Sequence, residues 1–204
     1  MGSRRKKNNA IEASRGDALV DDAEQIRALV SPVRQEIVDT VQALREASAA
    51  ELAAELDRPT DGLYYHLKAL VRARLLKVCG HRGEGRSREA VYSSLNPDRR
   101  LRLCYDPSDS ENVAAVAATV LSMLRMTGRD FERTFIPDLA VVDGPQRNLW
   151  AGRSKGWLDD EELEQVHSHL AQLRRLLEQP RRSSNQRLHN LTFVLTPGAP
   201  TRSG

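Results

Sequence analysis

The stretch from Ser48 to Tyr92 limits the fold more than any other part of the chain, because its punctuation marks out two helices and a hairpin in immediate succession. Ser48 and Glu51 form an S-x-x-E pair, in which the hydroxyl and the carboxylate each satisfy a backbone N–H left unpaired at a helix start. Ala50, Leu52, Ala53 and Leu56 then recur at helical spacing, and Asp57-Arg58-Pro59 stops the run, since proline cannot continue the hydrogen-bond ladder. Thr60 can cap a second helix. Along it Leu63, His66, Leu67, Leu70, Val71 and Leu75 share one apolar-leaning face, and Asp61, Tyr64, Tyr65, Lys68 and Arg72 take the opposite one. The runs 76–82 and 88–93 read as two short strands around Gly83-Glu84-Gly85-Arg86-Ser87, whose glycines supply the turn.

A helix, a three-residue turn, a second helix and a hairpin make the outline of a winged helix-turn-helix. A helix that buries a leucine stripe and presents tyrosines and a lysine is laid out to enter a DNA major groove. His81, Arg82, Arg86 and Arg88 stand at and near the hairpin tip, where guanidinium groups can pair with phosphate oxygens or reach a minor groove. The net charge of +3 is too small to argue for or against nucleic acid, but its distribution is informative. Residues 21–58 carry 4 Lys/Arg against 9 Asp/Glu, a net of −5, whereas residues 60–95 carry 7 against 3, a net of +4. The positive charge thus falls on the proposed reading helix and wing, as a phosphate footprint requires.

Ser31-Pro32-Val33-Arg34-Gln35-Glu36-Ile37-Val38, Ala50-Glu51-Leu52-Ala53, the segment Leu63-Tyr64-Tyr65-His66-Leu67-Lys68-Ala69-Leu70 and Leu75-Leu76-Lys77-Val78 together resemble the ArsR-type winged helix-turn-helix transcriptional regulators of bacteria. The likeness spans roughly residues 22–96, and Tyr-His-Leu-Lys-x-Leu is its most specific part. It implies a homodimeric regulator, a repressor, whose recognition helices enter successive major grooves of a palindromic double-stranded operator. Carried over by position, Thr60, Asp61, Tyr64 and Tyr65 lie at the groove, Lys68 near the backbone, and the wing arginines to either side; His66, counted with the DNA-binding residues, reads as a half-buried packing and hydrogen-bonding residue of the same helix. Arg34, near a helix start that faces the DNA backbone in this family, either touches phosphate or pairs with Glu36 or Asp39. Asp61 stands where the family usually has Ser, Gln or Thr; it either accepts from a cytosine amino group or simply complements the helix dipole. Arg74 occupies the place where a glycine commonly ends the recognition helix.

The chain before this unit opens with Arg4-Arg5-Lys6-Lys7 and has little apolar periodicity, so residues 1–20 read as a disordered basic tail, either a DNA-binding arm or a solubilising end. Ala23–Val30 and a helix opened by Ser31-Pro32 and running to Leu44 complete a three-helix core. Turn residues at 96–98 and 105–108 separate a winged domain, 21–97, from a helical region, 110–197, and a tail, 198–204.

In that second region a helix from Ser110 to about Arg133 carries Val113, Val116, Val120, Leu121 and Leu124 on an apolar face slimmed by alanines. Its partner is either a second copy of itself or the first domain of the same chain. A second helix, started by the acidic run 159–162, continues to Pro180, and residues 191–197 read as a terminal strand, with a further short strand at 149–151. This part resembles the C-terminal extension of one ArsR-like subgroup. Phe131, Phe135, Trp150 and Trp157 either line an apolar pocket for a small-molecule effector or form the core of the region.

The fold expected is therefore mostly α with a small β part (α+β): a winged helix-turn-helix followed by a helical dimerisation and effector region. Enzymatic chemistry, a cofactor and a metal are not expected. The helix before the recognition helix holds no Cys and residues 111–133 no His, so both metal-sensing arrangements of the resembling family lack their ligands. No phosphate loop or nucleophile elbow occurs. Two cysteines, Cys79 in a wing strand and Cys104 in the linker, suit a reducing cytoplasm and read either as buried inert thiols or as a redox switch. No membrane span or signal peptide is expected. A winged helix that docks an acidic protein partner instead of DNA is the competing reading.

Overall fold

The computed structural model describes residues 17–97, 100–136, 139–179 and 185–198. Its elements in order are β1 (Asp17–Val20), α1 (Ala23–Leu29), α2 (Pro32–Leu44), β2 (Glu46–Ser48), α3 (Ala49–Leu56), α4 (Thr60–Arg72), β3 (Leu76–Arg82), β4 (Glu89–Ser94), β5 (Arg100–Leu103), α5 (Ser110–Arg133) and α6 (Asp160–Leu177). The α+β class is the one expected. β2, β4 and β3 form an antiparallel sheet in that order, with a bulge between Val78 and Gly80, and the β3–β4 hairpin is the wing.

The core lies between α1–α4 and the base of this sheet. Ile26, Ile37, Val41, Leu52, Leu63, Leu67, Leu70, Leu75 and Leu76 are all at or below 1% exposure, so every helix of the unit contributes a fully buried residue. The α3 start is the expected capping box: the Glu51 N–H donates to Ser48 Oγ at 3.2 Å and the Ser48 N–H to the Glu51 carboxylate at 2.7 Å. Asp57 ends α3 in the left-handed region at φ 50°, and the Arg58 N–H returns to the Ala53 carbonyl. The Arg58 guanidinium donates twice to Glu36 on α2, at 2.6 and 3.1 Å, which fixes the turn between α3 and α4 to the helix beneath. Arg74, at φ 55°, takes the left-handed conformation that makes glycine common after a helix.

Four expectations are corrected. The tail assigned to residues 1–20 does not extend that far, because Asp17–Val20 pairs in parallel with Arg100–Leu103, and Val20 is fully buried; residues 1–16 lie outside the described part. The Ala18-Leu19-Val20 triplet is too short to signal a strand by periodicity, and its partner is about eighty residues away. The N-cap of α4 is Pro59 and not Thr60, so no side chain caps this helix. Residues 149–151 and 191–197 belong to no sheet among the described residues, since neither finds a neighbouring strand in its own chain. Cys79 is exposed, because every residue of β3 after Leu76 stands open on the wing.

The long helix α5 packs against α1 and α2: Ala115 and Val116 lie on the core, and the Thr119 hydroxyl reaches the Ile26 carbonyl. Gln35, buried on α2, donates to the carbonyls of Leu29 and Thr119 and so ties three helices together. The described residues between 134 and 198 behave differently: α6 has no buried residue, and most of their large apolar side chains are exposed. No helix among the described residues is long and apolar enough to cross a membrane.

Candidate nucleic-acid interface

Helix α4 divides cleanly along its length. Leu63, Leu67 and Leu70 are buried, while Asp61, Tyr64, Tyr65, Lys68 and Arg72 are all exposed, at spacings that place them on one face. Tyr65 is 69% and Tyr64 38% exposed. Both rings thus hold aromatic surface in water on a rigid helix. Thr60 is half-buried at the first position of the helix.

Beneath the tyrosines lies a small basic cluster. The Arg34 guanidinium, from the first turn of α2, stands 5.9 Å from the Tyr65 ring centroid, within cation–π range, and Tyr65 meets the His66 ring edge-on at 5.4 Å. Of the partners considered for Arg34, Glu36 is taken by Arg58. Half-buried His66 has no hydrogen-bond partner at Nδ1 among the described residues, and burial, then the charges of Arg34 and Arg58, hold its pKa below the usual value.

The wing is clamped to the start of α3. Arg82, near the end of β3, donates to Glu46 at 2.6 Å and to Glu51, while Glu89 on β4 accepts from the Ala50 N–H at 2.8 Å. One guanidinium thus joins wing, β2 and capping box, and the hydrogen bond with Glu46, then the field of Glu51, raise its pKa. The sequence alone places Arg82 on phosphate, because its partners Glu51 and Glu46 stand 31 and 36 residues away and carry no local signal. Arg88 is exposed after the short helical turn Gly85–Ser87, in whose backbone Arg86 sits. Tyr92 is buried under the hairpin.

Residues 29–79 match the family model of a helix-turn-helix domain. The match runs from the end of α1 through α2, α3 and α4 into β3, the scaffold that presents the α4 face. The chain therefore carries a helix-turn-helix domain; α5, α6 and what joins them lie outside the match. No curated protein matches the chain.

The other expected site residues separate. Of the proposed dimer residues, Val116 packs on the chain's own core and Val113 and Val120 are half-buried, whereas Leu121 and Leu124 are 54% and 43% exposed. Phe131 and Phe135 meet edge to face at 5.2 Å, Trp150 lies under the Arg147 guanidinium at 3.8 Å, and Trp157 is 98% exposed. A side chain so open lines no cavity, so within one chain the four aromatics do not enclose a pocket. Among the described residues no three His, Cys, Asp or Glu side chains gather where they could hold a metal ion.

Proposed function

We propose that this protein is a homodimeric regulator of transcription that binds a palindromic double-stranded DNA operator in a sequence-specific way, represses from it, and needs no metal. The observation that carries the reading is the exposed α4 face, with Tyr64, Tyr65 and Lys68 in water on a helix whose opposite face, Leu63, Leu67 and Leu70, is buried. On this reading Thr60, Tyr64 and Tyr65 contact base edges, with Asp61 and His66 beside them. Lys68, Arg86, Arg88 and Arg34 serve phosphate, and the uncapped start of α4 offers backbone N–H groups to an anion. Arg82 sets the angle of the wing as well as adding charge. The open row of α5, Leu121 and Leu124, pairs with its copy, so two α4 helices reach grooves about one helical turn, roughly 34 Å, apart. A small molecule or a protein acting on residues 134–198 is the effector this arrangement admits.

Fluorescence anisotropy with fragments of the chain's own upstream DNA, across a salt series and with random duplex as competitor, tests the proposal. Binding that survives competitor and falls linearly in log affinity against log salt supports it. Equal, weak binding to every duplex overturns it in favour of a protein partner.

A further inference from the structure

Helix α6 is only partly covered by the described residues of its own chain. It is 18 residues long and capped by a complete box, Asp159 with Glu162, yet none of its residues is buried. Helices of this length are marginal in water unless an apolar face is packed. Leu163, Val166, Leu170 and Leu177 are half-buried, and the Arg45 guanidinium donates to the Glu178 carbonyl at the end of the helix, whereas a second row one step around, Leu173 and Leu176, stays 46% and 70% exposed. Trp157 and Leu158, just before the helix, are 98% and 49% exposed.

We infer that α6 pairs antiparallel with α6 of a second copy about a two-fold axis. This rests on the homodimeric reading above and adds a second contact to it. The pattern along the open row selects the occupant: it is apolar at both ends, Trp157-Leu158 and Leu173 with Leu176, and polar in the middle, Gln165 and His169. Antiparallel pairing lays the Trp157 end of one helix on the Leu176 end of the other and leaves polar against polar at the axis. Charge agrees. Asp160, Glu161 and Glu164 crowd the first half of the helix and Arg174 and Arg175 the last turn, so antiparallel copies set acid against base twice, while parallel copies set like against like. Glu161 and Arg175 flank the same side of the open row and meet across the axis. The Thr127 and Thr192 hydroxyls share a hydrogen bond of 2.7 Å, one turn from Leu124, so the region is tied to α5 beside that helix's own open row.

The test uses the full chain. Glu161→Arg and Arg175→Glu each turn two attractions into repulsions and weaken dimerisation, read by sedimentation equilibrium, roughly tenfold. The double variant restores it to within about threefold. Helix stability cannot explain that recovery, because in the double variant both ends oppose the helix dipole. In a Trp150→Phe background, Trp157 is shielded from iodide at concentrations where dimer dominates and open to it in either single variant. Unchanged dimerisation in the single variants, no recovery in the double, or equal quenching of Trp157 at every concentration overturns the α6 pairing. A dimer in which Trp157 stays open overturns this inference and spares α5 pairing; a chain monomeric at every concentration overturns both.

Discussion

At the scale of single residues, His66 links the reading face to pH. Its folded pKa is lowered, by burial first and then by Arg34 and Arg58, so the unfolded chain takes up a proton before the folded one does. The stability that depends on neutral His66 is therefore complete at neutral pH. It is lost as pH falls through the ordinary value of 6.5, and the loss levels off below the folded value. Asp130 works in the opposite sense at lower pH, because burial and Glu36 raise its pKa, so its protonation relieves a cost. Urea unfolding at pH 7.5 and pH 5.5 separates the two: we expect the wild type to lose more stability on acidification than His66→Gln. Equal losses would show that the histidine is not held neutral.

Among elements, the wing and the reading helix are positioned by different means. Helix α4 rests on Leu63, Leu67 and Leu70, and its period was legible in the sequence because burial imposes 3.6-residue spacing directly. The α3 cap was legible as well, since Ser48 and Glu51 satisfy each other across three residues. Removing that hydroxyl in Ser48→Ala should cost about 1 kcal/mol of stability in urea unfolding. What sequence could not give was long-range partnership: β1 with β5, Arg58 with Glu36, and Arg82 with Glu46 and Glu51. These depend on which loops meet in space, and no local pattern encodes that. The same limit explains residues 149–151 and 191–197, whose β-forming side chains suggest strands that have no neighbour in their own chain. Because Arg82 is already shared by two carboxylates, Arg82→Ala should weaken DNA binding while changing its salt slope by well under one. A drop of a full unit would return Arg82 to direct phosphate contact.

For the whole molecule, the division between a well-buried helix-turn-helix unit and an open C-terminal region is the central fact. The first holds nearly all of the core, while the second carries Trp157, Leu176 and their neighbours in water. A chain so divided suits a protein whose second half is completed by assembly and whose first half presents one face to a polyanion. That face carries the account, and one comparison tests it most directly: the affinities of wild type, Tyr65→Ala and Lys68→Ala for the preferred duplex and for random duplex, measured across salt. We expect Lys68→Ala to weaken both equally and to lower the salt slope by about one, and Tyr65→Ala to narrow the ratio between the two duplexes. Unchanged salt slope in the first and unchanged ratio in the second would show that α4 does not face DNA.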